Sequence, residues 1–167
     1  LDYLKWLGCS HIWFTGVLRH STQASEDGCT PSHPQFVKGK AGSPYAICDY
    51  YDVNVYLADN PEDRMSEFES LINRTHEAGL KVIIDFVPNH VSRDYGKITP
   101  TAGHPVLGAE DDKTVHWKAE NDFYYYPGQQ LVLPTPIPAG MEAYSEFPAM
   151  ATGNNCYNPA PGINDWY

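Results

Sequence analysis

The chain reads as an α/β protein, and three observations predict it. A helical pattern closed by a glycine and followed at once by an apolar strand occurs twice, within residues 1–14 and again within residues 60–87. The second strand is almost continuously apolar, the pattern of a strand covered on both faces of a parallel sheet. Its far end carries Asp85, Asn89 and His90, and α/β sheets bind ligands at the carboxyl ends of their strands. Such alternation implies right-handed crossovers and a sheet that is either doubly wound or closed into a barrel.

Taken in order, Leu1, Leu4 and Leu7 form the end of a helical stripe, Gly8 stops it, and residues 9–14 make a short apolar strand ending at Thr15-Gly16. Asn60 caps the next helix, Pro61 is its first residue, and Glu62 and Asp63 face the positive end of its dipole. Met65, Phe68, Leu71, Ile72 and Ala78 fall near one stripe, Arg74 and His76 occupy the last turn, and Gly79 supplies a left-handed stop. The strand over residues 80–87 is interrupted only by Lys81 at its entrance and Asp85 near its exit, and Pro88 ends it.

Two stretches lack regular patterning. Residues 20–45 are rich in Ser, Thr, Gly and Pro, and residues 91–164 hold nine of the fourteen prolines. Loops of this length in a compact domain are usually functional or form small subdomains. The second contains Trp117, Phe123, Tyr124, Tyr125, Tyr126, Tyr144, Phe147 and Tyr157, expected to form the small core of a loop-rich segment rather than a sugar-stacking face. Leu1 begins inside a helical pattern, and residues 164–167 read as the cap and first turn of another helix, so both ends look interrupted.

The chain has 167 residues, 42% hydrophobic and 19% charged, and can bury a real core. Its net charge of −10 argues against nucleic acid or an anionic membrane as the main partner and is compatible with a neutral ligand. No apolar run approaches the roughly 20 residues needed to span a bilayer. Cys9, Cys29, Cys48 and Cys156 are widely spread with no Cys-x-x-Cys pair. A Cys29–Cys48 bridge across the intervening loop is conceivable; free thiols are expected. The compartment is left open.

Ile83-Ile-Asp85-Phe-Val-Pro-Asn89-His90 closely resembles the first signature region of the alpha-amylase family, the thirteenth family of glycoside hydrolases, which ends its third barrel strand with Asp, three residues, Asn and His. Ser43-Pro-Tyr45-Ala-Ile-Cys-Asp49-Tyr50 resembles that family's Gly-Tyr-x-x-x-Asp-Tyr segment after the second strand. The resemblance implies a partial (β/α)8 TIM barrel, about strands two and three with flanking helices, over residues 1–91. It further implies a B-domain-like insertion over residues 92–163 and the start of the next barrel helix at 164–167. It also implies an α-glucan or maltooligosaccharide substrate and the remainder of the chain's own barrel as a partner.

By the same resemblance, His90 hydrogen-bonds a hydroxyl of the sugar at the cleavage subsite, Tyr45 stacks on that ring, and Asp85 holds the surrounding network. Asn89 matches a position that contributes to a calcium ion in many amylases, and its amide oxygen is a suitable hard ligand. Taken singly, Asp85 reads as a structural carboxylate, Asn89 as a turn former after Pro88, His90 as a loop histidine and Tyr45 as a packing residue. Their order along the chain favours the family reading.

The chain departs from the family in two ways. Several relatives carry Asp three residues before the stacking tyrosine and again directly after it, where this chain has Gly42 and Ala46. The family's Arg-x-Asp nucleophile, general-acid Glu and His-Asp motifs have no counterpart here: none of Arg19, Arg64, Arg74 and Arg93 is followed two residues later by Asp. Retaining hydrolysis needs two carboxyl groups about 5–5.5 Å apart, and a complete barrel needs about 250 residues. The expectation is therefore a segment of a retaining α-glucan hydrolase, inactive by itself. The alternatives are a family transglycosylase, a noncatalytic carbohydrate-binding or interaction relative, and an unrelated metal-dependent α/β enzyme.

Overall fold

A computed structural model describes residues 1–24, 30–37, 39–97, 103–133, 137 and 139–151. Cys29, Cys156, Tyr157 and the helix start expected at 164–167 lie outside the described residues. Helix α1 spans Asp2–Trp6 and is followed by strand β1, His11–Phe14. Helix α2, Arg64–Glu77, is followed by strand β4, Lys81–Ile84. Gly8 and Gly79 sit at φ +83° and +78°, and the Gly79 amide donates to the His76 carbonyl at 2.8 Å, so the helix stops where only glycine is unstrained. The repeated helix–glycine–strand unit read from the sequence is therefore present.

β1 and β4 pair in parallel, with His11 opposite Lys81 and Phe14 opposite Ile84. The ladder runs one step further, since the Asp85 amide donates to the Phe14 carbonyl at 3.1 Å. α2 covers one face of the pair, where Phe68 meets Phe14 edge-on with ring centroids 6.5 Å apart. On the other face Trp13 is 64% and Ile83 47% exposed. This corrects the expectation of a strand covered on both faces: the sequence shows apolar residues on both sides, but among the described residues only one side has a cover. The strand is also shorter than residues 80–87.

The start of α2 is tighter than expected. Pro61–Asp63 form a 3-10 turn, capped by the Asn60 side chain accepting from the Glu62 amide, and the α-helix begins at Arg64. Glu67 reaches back to accept the Asp59 and Asn60 amides, each at 2.8 Å. This satisfies donors that an N-terminus otherwise leaves open, and those amides hold the Glu67 carboxyl below its usual range. Phe68, Leu71 and Ile72 are half-buried as expected, Met65 is exposed, and the stripe's fully buried member is Thr75, whose hydroxyl donates to the Leu71 carbonyl at 2.8 Å.

An antiparallel pair stands between the two units and was not expected. Strand β2, Leu18–His20, pairs with strand β3, Ile47–Val53, through an irregular register. The buried residues Val17, Ile47, Cys48 and Val53 place much of the core on this pair. β3 escaped notice because polar Asp49 and Asp52 occupy buried positions in it. Asp52 is satisfied by charge: Arg19 Nη1 donates to it at 2.8 Å, and Arg64 Nε and Nη2 at 2.6 and 2.9 Å. One carboxylate thus ties β2, β3 and the start of α2.

Among the described residues after His90 there is one short antiparallel pair, β5 (Tyr125–Tyr126) with β6 (Ala149–Met150). Arg93 binds it to the strand end through Glu146 Oε1 at 2.7 Å, with both side chains buried. Tyr125 is buried as the expected small core requires, but Trp117, Tyr124, Tyr126 and Phe147 are exposed. Cys48 is a free buried thiol, and burial pushes its pKa up, which leaves it unreactive. Among the described residues no helix is long and apolar enough to cross a membrane.

Candidate functional site

The carboxyl end of β4 runs directly into a cleft. Residues 85–90 have no regular secondary structure, and the chain's course there is fixed from the side by Tyr50 of β3. Its hydroxyl donates to the Val87 carbonyl, with the His90 carbonyl 3.3 Å away. The Tyr50 ring packs against Phe86 and Tyr95 at centroid distances of 5.3 and 5.6 Å. Burial, with the neighbouring Tyr95 phenol, pushes the Tyr50 hydroxyl pKa up, so it stays a donor.

The cleft has a volume of about 610 Å³ and lies between this strand end and the stretch that carries β5 and β6. Tyr50, Phe86, Asn89 and His90 line it from the first side, and Leu107, Asp122, Phe123, Tyr124 and Met150 from the second. A second hollow of about 710 Å³ lies between the end of β1 and α2. Its wall is the flank of a helix, and it contains none of the strand-end residues Asp85, Asn89 and His90.

His90 Nε2 lies 3.1 Å from the Tyr45 carbonyl oxygen. A carbonyl can only accept, so Nε2 carries the proton. Tyr45 itself is 48% exposed, and its amide is held by the Ser43 hydroxyl at 3.3 Å. Of the four residues singled out from the sequence, the structure brings His90 and Asn89 into the cleft and joins Tyr45 to His90. Asp85 is half-buried at the end of the β1–β4 ladder, and neither it nor Tyr45 is among the cleft-lining residues.

The altered positions around Tyr45 have physical reasons. Gly42 adopts φ +72°, and a Cβ there would lie 1.8 Å from the Ser21 carbonyl oxygen, so this backbone admits no side chain. Ala46 is buried, and its carbonyl accepts the Ser21 amide at 2.9 Å.

A calcium ion takes six to eight oxygen ligands. Asn89 offers one amide oxygen, and among the described residues no group of three or more His, Cys, Asp or Glu side chains could hold a metal ion.

Sequence reasoning missed Tyr50, Phe86, Asp122, Phe123 and Tyr124 as cleft residues. The run of aromatics at 123–126 was the available signal, but alternation alone does not tell which rings face a cleft.

Comparison with known proteins matches residues 1–146 to the family model described as alpha amylase, catalytic domain. Among similar curated proteins, pullulanase A of Streptococcus pneumoniae is 32% identical over 104 residues, covering 56% of this chain and 8% of that protein. An alpha-glucosidase of Pediococcus pentosaceus is 26% identical over 126 residues, covering 75% and 16%. An amino acid transporter heavy chain of Homo sapiens is 28% identical over 92 residues, covering 55% and 10%. The chain thus spans less than a fifth of the length of each of these relatives. No solved structure matches it. The β1–α2–β4 unit is the helix-covered parallel pair that a TIM barrel repeats, and the family match accounts for it. This chain belongs to the alpha-amylase family.

Proposed function

We propose that this chain is a segment of a retaining glycoside hydrolase acting on α-glucans, and that it supplies part of the substrate-holding wall rather than the bond-cleaving carboxylates. The observation that carries the reading is the contact of His90 with Tyr45 at the carboxyl end of the parallel pair. A sugar is held by polar groups converging on its hydroxyls and by a flat apolar face against its ring. A polar ring fixed to the backbone of an exposed tyrosine supplies both elements.

In this reading residues 1–91 are barrel, residues 92–163 an insertion beside the cleft, and residues 164–167 the start of the next barrel helix. His90 hydrogen-bonds a hydroxyl, the Tyr45 ring stacks on the sugar, and Asp85 orders the strand end. The hydrogen bond from the Tyr144 amide to Gln35 Oε1 at 2.6 Å supports an insertion held in fixed relation to the barrel. The relatives named for glucan-active enzymes support the substrate class. No step runs through calcium.

Titration calorimetry of the chain with maltoheptaose, paired with an assay for released reducing sugar, tests this. Binding is expected, about tenfold weaker in His90→Ala, as loss of one net hydrogen bond implies, and no hydrolysis is expected. Absence of binding overturns the reading; turnover abolished by His90→Ala overturns the claim that the cleaving groups lie elsewhere.

A second reading, a noncatalytic interaction relative, is favoured by the similarity to an amino acid transporter heavy chain and by Gly42 and Ala46 beside Tyr45. Intact Arg-x-Asp, Glu and His-Asp motifs in the parent protein would exclude it.

A further inference from the structure

We propose that Ser21, Ser92 and Asp94 form a buried hydrogen-bonded trio that positions the His90 imidazole and the loop presenting Tyr45. The function given to that placement rests on the α-glucan reading above; the trio itself is a separate device behind the wall that carries His90. All three side chains are buried, Ser21 completely. The Ser21 hydroxyl meets both the Ser92 hydroxyl and Asp94 Oδ1, and the Ser92 hydroxyl donates to the same Oδ1 at 2.6 Å. A carboxylate only accepts, so one oxygen of Asp94 gathers two hydroxyls that stand 71 residues apart in the chain.

Those two segments are the ones that hold Tyr45. The consecutive carbonyls of Tyr45, Ala46 and Ile47 accept from His90 Nε2 at 3.1 Å, from the Ser21 amide at 2.9 Å and from the Ser92 amide at 2.7 Å. The Ser21 carbonyl also abuts Gly42, where a Cβ would lie 1.8 Å away, so the same residue packs against the start of the tyrosine loop. Val91 alone separates His90 from Ser92. A displacement of Ser92 is therefore passed to the imidazole through one residue, and a displacement of Ser21 reaches the tyrosine loop from its other neighbour.

The chemistry of the trio suits placement better than adhesion. Asp94 Oδ2 is buried and finds no hydrogen-bond donor among the described residues. A buried polar atom without a partner costs stability, and an apolar cluster of the same volume would hold two segments together at least as well. Hydrogen bonds add direction, which apolar contact does not. Direction is what a histidine needs if Nε2 is to stay on one carbonyl.

The experiment is long-range 1H–15N NMR of the His90 ring in alkaline buffer, where imidazole is neutral, paired with calorimetric titration of maltoheptaose. It compares wild type with Ser21→Ala, Ser92→Ala, Asp94→Asn, His90→Ala and the Ser21→Ala/His90→Ala double variant, and thermal unfolding checks that each folds. The wild-type ring is expected to carry its proton on Nε2. Ser21→Ala and Ser92→Ala are expected to move both ring nitrogens toward the shifts of mixed tautomers, while Asp94→Asn, which keeps an acceptor for both hydroxyls, retains the wild-type signals. Maltoheptaose binding is expected to weaken severalfold in Ser21→Ala, with no further loss when the same change is made in His90→Ala, because its effect runs through that ring. Ring signals unchanged in both serine variants, or an equal loss of affinity in the two backgrounds, would overturn the inference and leave the α-glucan reading standing. If the wild type binds no maltoheptaose while the ring signals respond as expected, the α-glucan reading fails and the trio keeps its part in placing His90.

Discussion

The His90 imidazole donates from Nε2 to the backbone carbonyl of Tyr45 at 3.1 Å, so a histidine after one strand fixes the loop that presents a tyrosine before another. Contacting residues of this kind show coupling energies of roughly 0.5–3 kcal/mol. In a double-mutant cycle on maltoheptaose affinity, His90→Ala and Tyr45→Ala together are expected to cost less than the sum of the two, because loosening the loop already misplaces the ring. Strict additivity would show that the contact does not position Tyr45.

Asp52 is 3% exposed and receives two guanidinium groups. Burial alone would raise its pKa, but the hydrogen bonds from Arg64 and Arg19 outweigh it and hold the carboxyl below its usual value of 3.8. A folded pKa below the unfolded one contributes stability that is present above about pH 4 and is lost as pH falls through the folded value. Asp52→Ala is expected to destabilise by an amount near the low end of the roughly 3–5 kcal/mol typical of broken buried pairs, since the Arg64 side chain is 24% exposed. Urea unfolding at pH 7 and in steps below pH 4 measures both effects; the variant's acid limb should be flatter than that of the wild type.

Tyr50→Phe removes a hydroxyl that donates to the Val87 carbonyl, with the His90 carbonyl also in reach. About 1 kcal/mol of stability should be lost, together with some affinity for maltoheptaose, because this hydroxyl sets the course of residues 85–90. Unchanged affinity with reduced stability would limit Tyr50 to a structural role.

Gly42→Ala places a methyl group on a positive-φ backbone, 1.8 Å from the Ser21 carbonyl oxygen. The left-handed conformation alone costs about 1–2 kcal/mol, and the clash adds to it. Gly42→Asp, which restores the residue that several family members carry, should be no better. Chemical denaturation of both variants checks this, and a midpoint equal to that of wild type would show that the loop can move aside.

Glu146→Ala leaves the Arg93 guanidinium buried without its carboxylate, the Met150 carbonyl remaining as an acceptor. The stretch containing β5 and β6 should become more open to limited proteolysis, while the β1–β4 unit stays protected. Cleavage kinetics equal to those of wild type would argue that the pair does not order this stretch.

The repeated helix–glycine–strand unit was legible from the sequence because each piece is local: a three-to-four stripe, a left-handed stop and an apolar run. So was the strand end carrying Asp85, Asn89 and His90, because order along the chain is itself the signal. The β2–β3 pair was not legible, because its buried aspartate reads as polar until Arg19 and Arg64, distant in sequence, are seen to satisfy it. The cleft's second wall was not legible either, since which of Phe123, Tyr124, Tyr125 and Tyr126 turns outward depends on pairing with residues 149–150. Local pattern and residue order thus carry the family and one wall of the candidate site, whereas the residues facing that wall are set by contacts between distant segments, which leave no periodicity behind.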